Sequence, residues 1–311
     1  MANNGVAERL SRLGVTVLER GWLSSNNILI EASNGPTTLI DSGYSSHAQQ
    51  TLDLVGSALH GRPLDLLLNT HLHSDHCGGN AALQECYPSL RTYIPPGQAA
   101  AVASWDMAAL SYTATGQECP RFSVDGLLAP GEKLLLGDRI WTVHGAKGHD
   151  PHAIVLYQQE ERILISADAL WQNGFGVVFP ELEGESAFHE VAETLDLIES
   201  LSPEVVIPGH GPVFHDVAEA MVRARSRLAK FRESPSQHLR HAQKVLIKFR
   251  LLEWQQITRS ALLDWVLQTP YLRQAIPPAA DIAGTAWLDQ LLMELERSNA
   301  LTLDGETVFN R

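Results

Sequence analysis

Thr70-His71-Leu72-His73-Ser74-Asp75-His76-Cys77-Gly78-Gly79-Asn80 is the chemically densest stretch of the chain. Within it, His71 to His76 supplies three imidazoles and one carboxylate, a donor set that suits zinc and also iron or manganese. His71 and His73 are two apart, so on extended backbone they point the same way and can grip one ion. Asp75 and His76 follow on a turn and aim elsewhere, toward a second ion. Gly78-Gly79 permits the tight turn into a helix, for which Asn80 is the expected N-cap.

Working outward, four apolar, strand-like runs each end in a histidine or aspartate. Leu64–Asn69 leads into His71, and Trp141–Val143 leads through Gly145 and Gly148 to His149. Ile163–Ile165 leads to Asp168, and Val205–Ile207 leads through Pro208-Gly209 to His210. Strands that run out at a common sheet edge would bring these side chains together, and the small residues beside them leave room for close approach.

The rest of the first two-thirds mixes strands and helices, which predicts an α/β layered domain. Strands are expected at 15–18, 27–31, 38–40, 92–94, 133–136, 140–144, 153–157, 162–166 and 204–207, with helices at 49–59, 80–87 and 186–200. The alanine-rich segment 98–113 reads as an apolar helical insertion, a core helix or a lid. From about Val217 the pattern is nearly continuous helix, and Ser234-Pro235-Ser236 marks a boundary. The expected domains are therefore 1–233, catalytic, and 234–311, mainly helical. The latter holds helices at 237–254, 258–267 and 285–298 and a closing hairpin with Asp304-Gly305 as a type I′ turn. Helices capped by a hairpin look winged-helix-like, but acidic and basic residues balance there, so packing or dimerisation is expected rather than groove reading.

A chain of 311 residues with 44% hydrophobic and 19% charged residues is an ordinary globular composition. Its net charge of -13 disfavours nucleic acid as a partner. Cys77, Cys86 and Cys119 are odd in number and lack CxxC spacing, which points to a reducing, cytoplasmic setting. No apolar signal core or membrane-length run is read, so no membrane partner is expected.

The motifs THLHSDHCGGN, KGHDPH, SADAL and PGHGP occur in that order. Together, over roughly residues 15 to 215, they resemble the metallo-β-lactamase superfamily, whose signature is HxHxDH followed by a distant His, Asp and His. The resemblance implies an αββα sandwich with two divalent metal ions at one edge, zinc first and iron or manganese as alternatives. His71, His73 and His149 would hold one ion; Asp75, His76 and His210 the other; Asp168 would bridge them. Asp41, in Leu39-Ile40-Asp41-Ser42-Gly43, would orient a ligand histidine, or else cap a turn.

Antibiotic-degrading members commonly lack the Asp-His pair of the second site or replace the bridging aspartate by cysteine. The presence of Asp75, His76 and Asp168 argues against β-lactam hydrolysis. Asp150 and His152 stand where many relatives have GHTPG; His152 is read as a substrate contact, a proton shuttle or a strand cap. Cys77 is read as a buried structural thiol.

The expected chemistry is attack on an electrophilic carbonyl or phosphorus by a metal-bridging hydroxide, with Asp75 orienting the nucleophile and passing a proton to the leaving group. A small acyl substrate, a thioester or glyoxalase II-like ester or else a lactone, is expected. Its contacts are sought among His152, Trp171, Phe175 and Trp105, with Tyr44, Met107, Tyr112 and Phe179 as further candidates. The alternatives are a nuclease or phosphodiesterase of the same superfamily, a mononuclear iron sulfur dioxygenase, and a catalytically silent binding protein. A homodimer is a further expectation.

Overall fold

The computed structural model describes residues 2–33, 35–276 and 283–311. Two sheets face each other. The first holds β1 (Val15–Leu18), β2 (Asn27–Ile30), β3 (Thr38–Ile40), β4 (Leu66–Leu68), β5 (Arg91–Ile94) and β6 (Gly126–Leu127), side by side in that order. The second runs β11 (Val205–Pro208), β10 (Ile163–Ala167), β9 (Ile154–Gln158), β8 (Arg139–Gly145), β7 (Lys133–Leu136).

Period-two alternation explains the layering. Ile28, Ile30, Ile40 and Leu68 turn inward to meet Trp141, Val143, Leu156, Ile165 and Ile207 of the second sheet. Leu29, Leu39 and Leu67 turn outward onto Val55 and Leu59 of the helix Ala48–Leu59 and Leu83 of Asn80–Cys86. On the opposite side Val155, Leu164 and Val206 pack on Val191, Leu195 and Ile198 of Phe188–Leu201 and on Ala220 and Met221 of Val217–Glu233. Toward their centres both sheets are covered on both faces, which is why β2, β3, β9, β10 and β11 read as apolar runs. The result is the expected αββα sandwich. β3, β4, β5 and β6 pair in parallel, as do β10 and β11, so the loops that follow β4, β10 and β11 leave the carboxyl ends of parallel strands, where open α/β sheets place their sites.

Some local expectations are corrected. The segment 98–113 is no single helix. It is a helix Ala99–Ser104, a run of turns, then Tyr112–Thr115, broken by Trp105 and Ser111 at φ +56° and +64°. Val102, Leu110 and Tyr112 pack on Leu72 and Cys77, so the insertion is core beneath the histidine loop. Asn80 is the first helical residue rather than the cap; its side chain pairs with Asn69 and accepts from Ser42 Oγ at 2.7 Å. The chain also begins with a helix, Ala2–Arg12, that the sequence did not announce.

After Glu233 come helices Pro235–Trp254, Arg259–Gln268, Pro270–Arg273 and Ala283–Arg297. A three-stranded sheet joins β12 (Gln256–Thr258) to the hairpin β13 (Leu301–Asp304) and β14 (Thr307–Asn310). Asp304 pairs with Thr307, so the turn is Gly305-Glu306, with only Gly305 at positive φ, and is not type I′. The core of this region, Leu251, Leu262, Leu288 and Val308 among others, also receives Phe179 and Leu182 from the sandwich. Arg250 strengthens the seam: it donates to the Gly116 carbonyl, pairs with Glu253 at 2.5 Å and lies 4.5 Å from the Trp254 ring.

Candidate metal centre

Seven side chains converge beyond the strand ends. The ligand atoms of His71, His73 and His149 lie within 4.8 Å of one another, and so do those of Asp75, His76, Asp168 and His210. Asp168 touches both groups, at 3.4 Å from His76 Nε2 through one oxygen and 3.4 Å from His149 Nε2 through the other.

The hydrogen bonds fix which nitrogen of each ring faces the centre. Asp41 accepts the Thr70 N–H at 2.9 Å and the Thr70 hydroxyl at 2.7 Å, so that hydroxyl is left to accept from His71 Nδ1 at 3.1 Å. Asp41 also takes the His76 Nδ1 proton at 2.7 Å, and the Val177 carbonyl takes that of His149 Nδ1 at 2.5 Å. In the neutral form of all three rings Nε2 then presents a lone pair inward. Among the described residues, His71 Nε2 and His76 Nε2 are buried without a hydrogen-bond partner, and His73 Nδ1 faces His149 Nε2 at 2.8 Å. Buried lone pairs left in this way are costly unless a cation sits among them.

Electrostatics agree. Burial and then the neighbouring imidazoles hold His71 well below the usual histidine value and bring His73 down to about 4, so both are neutral and ready to donate. Burial also opposes charge on His76, but Asp168, Asp41 and Asp75 outweigh it and raise that ring well above its usual value. Against burial, His76, His210 and His149 hold Asp168 well below the carboxylate range, and His76 and His210 lower Asp75 in the same way. The second cluster is a pocket of negative charge that demands a cation. Imidazole and carboxylate donors of this kind fit divalent transition-metal ions.

Close approach depends on glycine. A Cβ on Gly209 would lie 2.2 Å from Asp168 Oδ1, and one on Gly176 would lie 2.4 Å from His149 Nδ1. Backbone at positive φ is used here as well: Asp41 at +58° and Ala167, just before Asp168, at +45°.

A cavity of about 610 Å³ opens over the cluster. His73, Asp75, His149, Asp168 and His210 form its floor; Trp171 and Phe179, both anticipated, line it. Trp171 donates to Asp168 Oδ1 at 3.1 Å. Other candidates lie elsewhere. Trp105 packs edge-on to Phe122 in the insertion core, Phe175 is buried against Phe231, and His152 rests against Gly97, so none of the three lines the cavity. Tyr44 and Tyr112 are buried in packing, and Met107 is on the surface.

Sequence reasoning missed several neighbours. Trp22 stacks on the His210 ring with centroids 5.4 Å apart and planes 7° apart. Asn26 ties its loop to the His210 loop through the Pro208 and Gly211 carbonyls. Asp150 lies 3.7 Å from His73 Nε2. Asp150 had a signal, its odd place in the third motif; Trp22 had none.

A family model for the metallo-beta-lactamase superfamily matches residues 20–210. The chain is 27% identical over 223 residues to the acyl-coenzyme A thioesterase MBLAC2 of Homo sapiens, covering 66% of this chain and 76% of that protein. It is 26% identical over 270 residues to a hydroxyacylglutathione hydrolase of Xanthomonas campestris pv. campestris, covering 86% and 90%. A solved structure, TTHA1623 in a di-iron-bound form, superposes with a TM-score of 0.53 at 29% identity, covering 66% of this chain and 97% of that one. With the matched family spanning more than half of its length, this chain belongs to the metallo-beta-lactamase superfamily of metal-dependent hydrolases.

Proposed function

We propose that the protein is a two-metal thioesterase. The observation that carries this reading is the pair of complete donor clusters, with Asp168 shared between them, on the floor of a cavity with apolar walls. His71, His73 and His149 would hold one ion, Asp75, His76 and His210 the other, and Asp168 would reach both. Zinc suits the donors best, and the di-iron relative makes iron the alternative. Bound there, such a pair supplies hydroxide from water at neutral pH and polarises a carbonyl.

The chain's own residues do the rest. Asp75, at 3.1 Å from His210 Nε2 and open to the cavity, is placed to orient the nucleophile and hand a proton to the departing thiol. Val177, Phe179, Phe249 and Leu252 offer apolar surface for an acyl chain. Residues 1–233 would carry the catalytic centre, while 234–311, through the helix Pro235–Trp254, would supply the far wall of the cavity. The names of the relatives support a thioester, of coenzyme A or glutathione. A mononuclear dioxygenase would not need the second cluster, and the net charge of -13 weighs against a nuclease. We also read the free thiols as fitting a reducing compartment. Metal analysis of the purified protein, with a thioester, lactone and phosphodiester panel, tests the reading. It expects two equivalents of metal and the highest kcat/KM on thioesters; one equivalent with no thioester turnover would overturn it.

A further inference from the structure

Beyond the floor of the cavity, on the side of the C-terminal helices, the surface changes character. Arg227, His241 and Asn173 line the catalytic cavity and also a second groove of about 590 Å³, which continues between the helices Val217–Glu233 and Pro235–Trp254 past Lys230. The two spaces therefore meet at Arg227.

Arg227 is half-buried, and among the described residues no carboxylate lies within ion-pair distance of it; its one protein acceptor is the Phe175 carbonyl at 3.2 Å. By contrast, its helix neighbours Arg223 and Arg225 are each paired with acidic residues. The chain makes room for this guanidinium: Gly174 sits at φ +115°, and a Cβ there would come within 2.6 Å of Arg227 Cζ. Lys230 also has no acidic partner among the described residues, whereas Lys244 is paired with Glu294 at 3.3 Å; burial, then Arg227 and Lys244, bring His241 down to about 4. A protein of net charge -13 thus keeps two basic side chains, Arg227 at the join of the two cavities and Lys230 beyond it, without an acidic partner among the described residues. Four of a guanidinium's five donors remain for a planar, multidentate anion, which is the chemistry of phosphate recognition.

We propose that this groove is an anion subsite for the leaving-group side of the substrate, and that it takes a phosphate or diphosphate carried by the thiol. The proposal rests on the thioesterase reading and sharpens it: the acyl part lies over the metal floor, and the charged carrier crosses Arg227 into the groove.

The test compares two thioesters of the same acyl group, one of coenzyme A and one of uncharged N-acetylcysteamine, on the metal-loaded enzyme. In Arg227→Met the ratio of kcat/KM, charged over neutral, should fall at least tenfold, chiefly through KM, and Arg227→Lys should recover part of it. Lys230→Met, at an exposed position, should lower the ratio severalfold and covers the case in which Arg227→Met fails to fold. Ratios within twofold of wild type in both variants would overturn the subsite. Should the wild type cleave no thioester, the functional reading fails alone, and calorimetry with ADP then decides the subsite. Binding that Arg227→Met or Lys230→Met weakens tenfold supports it; absent binding, or binding equal in all three proteins, overturns it, because anion held only by metal would not respond to either residue.

Discussion

Asp41 shows how much one side chain is asked to do here. At φ +58° it holds Thr70 by two hydrogen bonds and His76 by a third, so a single carboxylate sets the orientation of two inward-facing rings. Asp41→Asn can keep the shape but cannot accept from every donor with the same strength, and metal affinity should fall about 10–100-fold with little change in fold; competition with a chromogenic chelator measures it. Asp168 and Asp75 sit closer to the chemistry. Asp168→Asn removes the charge that both clusters share, and Asp75→Ala the carboxylate that faces the cavity. Each should lower kcat at least about 10³-fold while circular dichroism stays native, and normal turnover in both would sink the two-metal mechanism. The seven clustered side chains were legible because their motifs are local and chemically dense. Trp22 and Val177 were not, since one stacks on His210 and the other orients His149 only after distant loops meet.

At the scale of elements, the central strands were the easiest to read, because they are buried on both faces and four- or five-residue apolar runs have few other uses. Elements whose ends depend on tertiary contacts were harder. Asn80 gave up its capping role because its amide closes a buried network with Asn69 and Ser42. The alanine-rich insertion broke into pieces where Trp105 and Ser111 turn left-handed to pack beneath the histidine loop. The loop Pro208-Gly209-His210 was legible as a strand end, but its tightness was not. With Asp168 Oδ1 2.2 Å from a virtual Cβ and the His76 ring 2.9 Å away, Gly209→Ala must push one of these two side chains aside. Its expected result is loss of one metal equivalent and a fall in kcat of at least about tenfold, read by elemental analysis and initial rates. Full metal content with wild-type activity would show that the loop can yield.

At the scale of the whole molecule, the C-terminal helices are part of the cavity wall, so their attachment bears on catalysis. The sequence marked the boundary at Ser234-Pro235-Ser236 but gave no sign that His238, four residues on, would be a main tie across it. His238 is fully buried; its Nε2 accepts the Val178 N–H at 3.1 Å, and its ring packs on Phe188 and Phe231. Burial, with a smaller push from His241, brings it down to about 4. An unfolded histidine titrates near 6.5, so between pH 6.5 and about 4 the unfolded chain binds a proton that the folded chain refuses. This contribution to stability is complete above pH 6.5 and is lost as the pH falls toward 4, up to about 3 kcal/mol in all. Urea unfolding at pH 7.5 and 4.5 should therefore show a larger acid loss in wild type than in His238→Gln, whose amide oxygen can still accept from Val178 without taking up a proton. The variant should be the less stable protein at pH 7.5, yet with the shallower pH dependence. An equal acid loss in the two proteins would mean that protonation of His238 does not loosen the wall, and that other groups carry the acid sensitivity.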